Sequence, residues 1–364
     1  MKRLTMDEAV TLLRSGEIVA LPTETVYGLA GRADSEESVR KIFEAKGRPA
    51  ENPLICHIGS LEMLERYAVV AEDDRALLSL WPGPFTILLP KRDLPDVVTA
   101  GSHLCAFRMP AHALFLDAIQ KTGVPLAAPS ANRSGETSPV TAEMVETSLE
   151  GRIPGVVDGG PCSVGIESTV VLREGDRSVR ILRPGAITEA QFEALGYTVV
   201  RNGAPEIDGR GLLSPGRLPV HYAPSVPLIL VDRRYTPELL DRLHRYLNGE
   251  SGLFHIAEQR IDIGRIDCSH PAVLRSDADS GEDRAQHPDQ ERGQTSERSS
   301  DQSRQEDLAA FAARLYRTLD EMSRTASVIL AFSVADEGIG RAINDRLRRA
   351  ASLRLIPSDT GSAP

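Results

Sequence analysis

Two cations flank a glycine at Lys46-Gly47-Arg48, directly after an apolar stripe of Val39, Ile42 and Phe43. At helical spacing Lys46 falls on that stripe, so its stem points inward, and an inward cation needs an anion to meet it. Lysine supplies a point charge and arginine a two-pronged fork, and with the Gly47 amide they could clamp phosphates. The plainer alternative is a helix C-terminus whose cations suit the helix dipole. Three more clusters set short polar side chains where apolar strands stop. Thr23-Glu24-Thr25-Val26-Tyr27-Gly28 offers alternating hydroxyls, either to a small polar ligand or to a turn of its own. Ser130-Ala131-Asn132 follows an apolar run, with small neighbours that allow a ligand's close approach. Gly165-Ile166-Glu167-Ser168-Thr169 and Leu182-Arg183-Pro184-Gly185 add glycine-bearing turns beside polar strand starts. Arg108 is a charge inside an apolar strand and needs a carboxylate, from the protein or from a substrate. His57, closing another apolar run, reads by itself as a satisfied buried histidine.

Several standard catalytic devices are missing. The sequence has no Gly-x-x-x-x-Gly-Lys-Ser/Thr, no Gly-x-Gly-x-x-Gly after a strand, no His-Glu-x-x-His and no Gly-x-Ser-x-Gly. What the residues offer is an anion pocket in a small-residue frame with no obvious nucleophile. That suits catalysis by positioning and charge stabilisation.

The elements that must hold these groups follow from periodicity. Thr5-Met6-Asp7-Glu8 fits a capping box opening a short helix with Ala9, Leu12 and Leu13 inward. Asp34 and Glu37 form a second such pattern for the helix ending at Lys46, with Gly47 as its stop and Pro49 barring continuation. Strands are expected at 17–21, 54–58, 85–89, 104–109, 124–128, 156–158, 168–172 and 179–182, and a helix at 111–121. Helices and strands intersperse without strict alternation, which predicts an α/β domain on a mixed sheet.

At 364 residues two domains are expected, over 1–202 and 226–356, joined by a Gly-, Pro- and Arg-rich linker at 203–225. The second is a smaller α/β unit with strands at 228–231, 253–256 and 328–332 and helices at 237–248, 308–325 and 339–351. Inside it, 275–307 carries five arginines against ten acidic residues and no large apolar side chain. Such a segment cannot bury enough to offset its ordering entropy, so a disordered insertion is expected there, and a frayed tail at 357–364. The whole chain has 42 basic and 52 acidic side chains, net −10, which argues against a surface that coats nucleic acid but allows a local basic cavity. Its four cysteines are far apart, with no Cys-x-x-Cys pair, and read as buried thiols in a reducing compartment. No apolar run approaches membrane-spanning length and no signal region opens the chain, so a soluble cytoplasmic protein with no membrane role is expected.

Taken in order, Thr23-Glu24-Thr25-Val26-Tyr27-Gly28, Lys46-x-Arg48, Ser130-x-Asn132 and Gly165-x-Glu167-Ser168-Thr169 resemble the motifs of YrdC-like proteins. Ser214-Pro215-Gly216, His221-Tyr222-Ala223-Pro224 and the stretch from Gly338 to Leu347 look like the linker and second domain of the longer, Sua-type members. The resemblance implies a YrdC-like twisted mixed sheet with a positively charged concave cavity, plus a smaller Rossmann-like α/β C-terminal domain. It also implies an L-threonylcarbamoyladenylate synthase. In that reaction L-threonine, bicarbonate and ATP, with Mg2+, give threonylcarbamoyl-AMP and pyrophosphate for the threonylcarbamoyladenosine modification of tRNA.

Carried over residue by residue, the resemblance gives Lys46 and Arg48 the catalytic role and the ATP phosphates. It sets Asn52, Ser130, Asn132 and Ser138 on the nucleotide, with Arg183, His221 and Tyr222 closing over it. Thr23, His57, Arg108 and Ser168 fall on the threonine side. The product would pass to a tRNA threonylcarbamoyl transferase, tRNA itself being a weak or indirect partner. Leu218 and Val220 depart from the family, standing where some members carry basic residues. Two rivals are weaker. Hydrogenase-maturation carbamoyl chemistry would bring zinc-finger cysteine spacings that this chain lacks. An RNA-binding module would need an aromatic-interleaved basic patch that the acidic total does not favour.

Overall fold

Helix α1 (Met6–Arg14) begins where the Thr5 hydroxyl accepts from the Glu8 amide and the Glu8 carboxylate accepts from the Thr5 amide, and it buries Ala9, Val10 and Leu13. The structure, a computed structural model, describes residues 1–200, 221–233, 255–256, 259–260, 271–274, 276 and 295–355. Helix α2 (Glu36–Lys46) corrects one expectation. Its cap is Ser35, whose hydroxyl accepts from the Ser38 amide at 3.3 Å. Asp34 instead takes a two-pronged pair from Arg32 at 3.0 and 2.8 Å, and an acid engaged there does not turn to cap the helix.

The chain divides into two compact units. One comprises Met1–Ser134, Ser138–Pro219 and Ala312–Tyr316, the other Gly135–Thr137, Val220–Phe311 and Arg317–Pro364. The first is built on an 11-stranded sheet. Numbered along the chain, its strands lie in the spatial order β1 (Lys2–Arg3), β8 (Gly155–Val156), β2 (Val19–Leu21), β3 (Gly28–Arg32), β7 (Leu126–Ala127), β4 (Ile55–His57), β6 (Leu104–Arg108), β5 (Phe85–Pro90), β9 (Thr169–Arg173), β10 (Ser178–Arg183) and β11 (Thr198–Val200). The sheet is mixed, as expected: β4 runs parallel to β6 and β5 to β9, while β2–β3, β3–β7, β4–β7 and β5–β6 are antiparallel.

The short helices α3 (Leu61–Tyr67), α4 (Arg75–Leu78), α5 (Asp96–Thr99), α7 (Ala142–Leu149) and α8 (Glu189–Ala194) fill connections that the periodicity did not disclose. Helix α6 (Ala113–Thr122) packs on α1, and α2 packs on β3. Strand β3 was also missed. Gly28-Leu29-Ala30-Gly31 looks like turn punctuation, yet Gly31 serves close packing. A Cβ there would stand 2.7 Å from Ser38 Oγ and 3.0 Å from Ile18, where helix and strand meet.

The second unit holds a four-stranded sheet, all parallel, in the order β15 (Pro271–Leu274), β16 (Val328–Phe332), β12 (Leu228–Val231) and β17 (Leu353–Leu355). Strand β13 (His255–Ile256) pairs antiparallel with β14 (Gln259–Arg260). Helix α10 (Gly340–Ala350) and helix α9 (Thr295–Ser323), apart from the Ala312–Tyr316 turn that counts with the first unit, complete what is described. Here α9 corrects the expected disorder over 275–307, because residues from Thr295 onward are helical. Leu308, Phe311, Leu315 and Leu319 are buried on one face, and a helix so anchored extends cheaply into a polar run, with Gln302 donating to Glu306 at 3.2 Å. The rest of that insertion from 277 to 294, the linker from 203 to 220, the expected helix at 237–248 and the tail at 357–364 lie outside the described residues. No helix among the described residues is long and apolar enough to cross a membrane.

Candidate active site

Helix α2 ends in a left-handed Gly47, φ +60°, whose amide reaches Glu44 O while the Arg48 amide reaches Phe43 O at 3.0 Å. That reversal aims Lys46 and Arg48 into the first unit, where both are buried. Lys46 Nζ donates to the carbonyl oxygens of Ser130 and Asn132. The Ser134 amide returns a bond to Lys46 O at 2.9 Å, so the Ser130-x-Asn132 turn is fastened to the helix end from both sides. Arg48 holds the carbonyls of Asn52 and Pro53 at 3.0 and 2.8 Å. Asn52 is wholly buried, and neither polar atom of its side chain meets a hydrogen-bond partner among the described residues. Each such atom costs about 1–3 kcal/mol, a penalty that a ligand can relieve.

The Thr23–Gly28 segment is a turn tied to two neighbours. The Tyr27 carbonyl accepts from the Ala131 amide at 2.8 Å, and Gly28 forms a bridge with Ser130. Tyr27 Oη accepts from the Gly159 amide at 3.1 Å and donates to Gly160 O at 2.8 Å, and burial raises its pKa. The Thr23 hydroxyl accepts from the Thr25 and Val26 amides and donates to Val26 O, so it is engaged by its own turn.

Arg108 finds its partner within the protein. Its Nη2 donates to Glu24 Oε1 at 2.6 Å, Nη1 to Thr25 Oγ1 at 2.9 Å and Nε to Gly83 O at 3.2 Å. The parallel register of β4 and β6 sets His57 beside Arg108. The imidazole lies 4.9 Å from the Phe115 ring, and its Nδ1 has no hydrogen-bond partner among the described residues. Burial, then the Arg108 charge, pushes its pKa down to about 3, so the ring is neutral at neutral pH.

Along the sheet, the Thr169 amide donates to Pro84 O at 3.0 Å, next to the Gly83 carbonyl that Arg108 uses. Ser168 Oγ shares a proton with Thr86 Oγ1 at 2.7 Å and accepts from Arg183 Nη2 at 3.1 Å. Arg183 Nε also donates to Ser168 O at 3.1 Å. Residues assigned from the sequence to the nucleotide and to threonine are therefore in direct contact here. Ser138 Oγ donates to Glu167 Oε1 at 2.6 Å. His221 and Tyr222 belong to the second unit. There the His221 amide reaches Arg349 O at 3.1 Å, and Arg346 lies over the Tyr222 ring at 5.4 Å.

Three polar residues joined to this network had no role from the sequence: Glu24, Thr86 and Glu167. Glu24 had a signal, since Arg108 required a carboxylate. Nothing in the spacing said which acid would supply it.

Residues 11–185 match the family of Sua5, YciO and YrdC, described as Telomere recombination, and residues 187–352 match the Threonylcarbamoyl-AMP synthase C-terminal domain. A threonylcarbamoyl-AMP synthase of Bacillus subtilis is 39% identical, across 96% of this chain and 93% of its own. One from Pyrococcus abyssi is 36% identical, across 96% and 94%. The crystal structure of Pyrococcus abyssi Sua5 complexed with L-threonine superposes with a TM-score of 0.75 at 32% identity, covering 98% of both chains.

Proposed function

This chain belongs to the threonylcarbamoyl-AMP synthase family, and from that premise we propose that it converts L-threonine, bicarbonate and ATP to threonylcarbamoyl-AMP and pyrophosphate. The observation that carries the reading is a set of four buried cations, Lys46, Arg48, Arg108 and Arg183, set among short polar residues in one unit. Burying cations is expensive unless anions or dipoles meet them, and ATP, bicarbonate and the carboxylate of threonine all bring negative charge.

In this reading Lys46 and Arg48 hold the triphosphate and offset charge on the phosphoryl group in transfer. Asn52, Ser130, Asn132 and Ser138 hold the rest of the nucleotide, with Arg183 at the junction of the two substrates. Arg108 takes the threonine carboxylate through the N–H groups left after its protein contacts. His57 and Ser168 shape the same side, and Thr23 supports it by building the turn. Threonine's amine takes up the carbon of bicarbonate as a carbamate, with loss of water, and the new carboxylate attacks the α-phosphate and displaces pyrophosphate. Holding the two reactants in line is the protein's main contribution.

Among the described residues no three His, Cys, Asp or Glu side chains are grouped to hold a metal ion. In this proposal Mg2+ enters with the ATP substrate, with phosphate and water oxygens as its main ligands. Residues 1–202 form the catalytic domain in this proposal, with 203–225 as linker and 226–356 as the second domain. The protein works in the cytoplasm and passes its product to a tRNA threonylcarbamoyl transferase. An RNA-binding module and hydrogenase-maturation chemistry are not favoured, because the relatives matched over nearly the whole chain are synthases.

The test is pyrophosphate release by purified protein. Release should require threonine and bicarbonate together, and labelled bicarbonate should enter a threonylcarbamoyl adenylate. Release indifferent to threonine would contradict the proposal.

A further inference from the structure

Glu24 carries a buried charge with one oxygen unused. Its Oε1 accepts from Arg108 Nη2, and both side chains are more than nine-tenths buried. Its Oε2 is shut off from solvent and meets no hydrogen-bond donor among the described residues. A carboxylate oxygen calls for a charge-assisted donor, and the turn around it supplies none. The Thr23 proton goes to Val26 O, which leaves the Thr25 proton for the Thr23 oxygen at 2.8 Å. Neither hydroxyl is spare.

Arg108 complements this. Of the five N–H groups of a guanidinium, three go to Glu24, Thr25 and Gly83, so two remain. One ion pair thus keeps a carboxylate oxygen without a donor and a fork with two N–H groups to spare. An α-amino acid presents the matching pair, an ammonium and a carboxylate on one carbon. A single-charge ligand would satisfy only half of the arrangement.

We propose that Glu24 Oε2 receives the α-ammonium of the amino-acid substrate and then accepts the proton that the ammonium must lose. This rests on threonine being the substrate, as proposed above. One N–H proton moves to Glu24, and the freed lone pair forms the N–C bond to the carbon of bicarbonate. The C–OH bond breaks, and its hydroxide leaves as water with a second amine proton. A carbamate and a neutral Glu24 remain, and atoms and charge balance. Glu24 is then a binding group for the amine as well as the counter-ion of Arg108.

Calorimetry with L-threonine and with 3-hydroxybutanoate, which lacks the amine, tests this. Wild-type protein should bind threonine at least about tenfold tighter, the scale of one charge-assisted bond. In Glu24→Gln the amide oxygen still serves Arg108, while an NH2 donor replaces Oε2. Threonine affinity should fall about ten- to a hundredfold and 3-hydroxybutanoate affinity should hold within about twofold. ATP binding by the same variant reports an intact fold. Equal loss of both acids would overturn the proposal, since Glu24 would then act only through Arg108. Unchanged threonine binding by the variant would overturn it as well. If the variant does not fold, the wild-type comparison still decides, and equal affinity for the two acids refutes the amine contact. Wild-type protein that binds neither acid would bring down the threonine reading itself, a distinct outcome.

Discussion

Two corners of the first unit handle buried cations differently. At the Lys46–Arg48 corner, backbone carbonyls of Ser130, Asn132, Asn52 and Pro53 receive the donors. At the Arg108 corner a carboxylate, Glu24, receives one. Carbonyl dipoles orient a cation without bringing a compensating charge, whereas a carboxylate brings one. In the proposed reading the first corner takes a polyanion, the triphosphate of ATP. The second, already a plus beside a minus, suits a zwitterion. One sheet can therefore seat two unlike substrates without confusing them.

The contrast can be broken most forcefully at Arg108. Arg108→Ala strands Glu24 as a buried charge, and stability in urea should drop by about 3–5 kcal/mol. Replacing Glu24 by Ala in the same chain should restore part of that loss. A drop under about 1 kcal/mol would mean that the pair is not the buried contact it looks.

Lys46→Ala should lower turnover with ATP by about 10²–10³-fold, the scale of a lost charge-stabilising donor. Two carbonyls lose a partner, so stability should fall by about 1–3 kcal/mol. A melting-temperature collapse large enough to explain the lost activity would assign Lys46 to structure alone.

The smallest effect sharpens the Arg108 side. His57 titrates near pH 3 when folded, below its ordinary value of 6.5. The unfolded chain therefore binds more protons between those values, so stability rises with pH through that window and is lost as pH falls. From pH 6.5 to 5 the loss attributable to His57 is roughly 1.5 kcal/mol. Denaturation curves of His57→Gln should show that much less acid sensitivity, and an identical pH dependence would contradict the assignment.

Much of this was legible where local chemistry decides structure. The stripe through Val39 and Ile42 put Lys46 inside, and Gly47 stopped the helix as its φ requires. The parts that escaped depend on long-range partners. Strand β3 hides behind glycines, and the one at Gly31 serves close contact with Ser38 and Ile18, visible only once the helix is packed. Asp34 lost its capping role to Arg32, two residues away, because an ion pair competes with a cap. Where an anion was sought, Lys46 meets two backbone carbonyl oxygens, which no side-chain pattern encodes. Helix α9 runs through polar sequence because its buried half anchors it, so composition alone misjudged residues from Thr295 to 307. The hydroxyls of Thr23 and Ser168 were singled out for ligands, and the structure shows both bonded within the protein.

The most direct test of two unlike corners is calorimetry of ATP and of L-threonine with two variants, Lys46→Ala and Arg108→Lys, the second keeping a charge for Glu24 but not the fork. Lys46→Ala should weaken ATP at least about tenfold and leave threonine nearly unchanged, and Arg108→Lys should do the reverse. Variants that weaken both ligands alike, or ATP binding that survives loss of Lys46, would contradict the account.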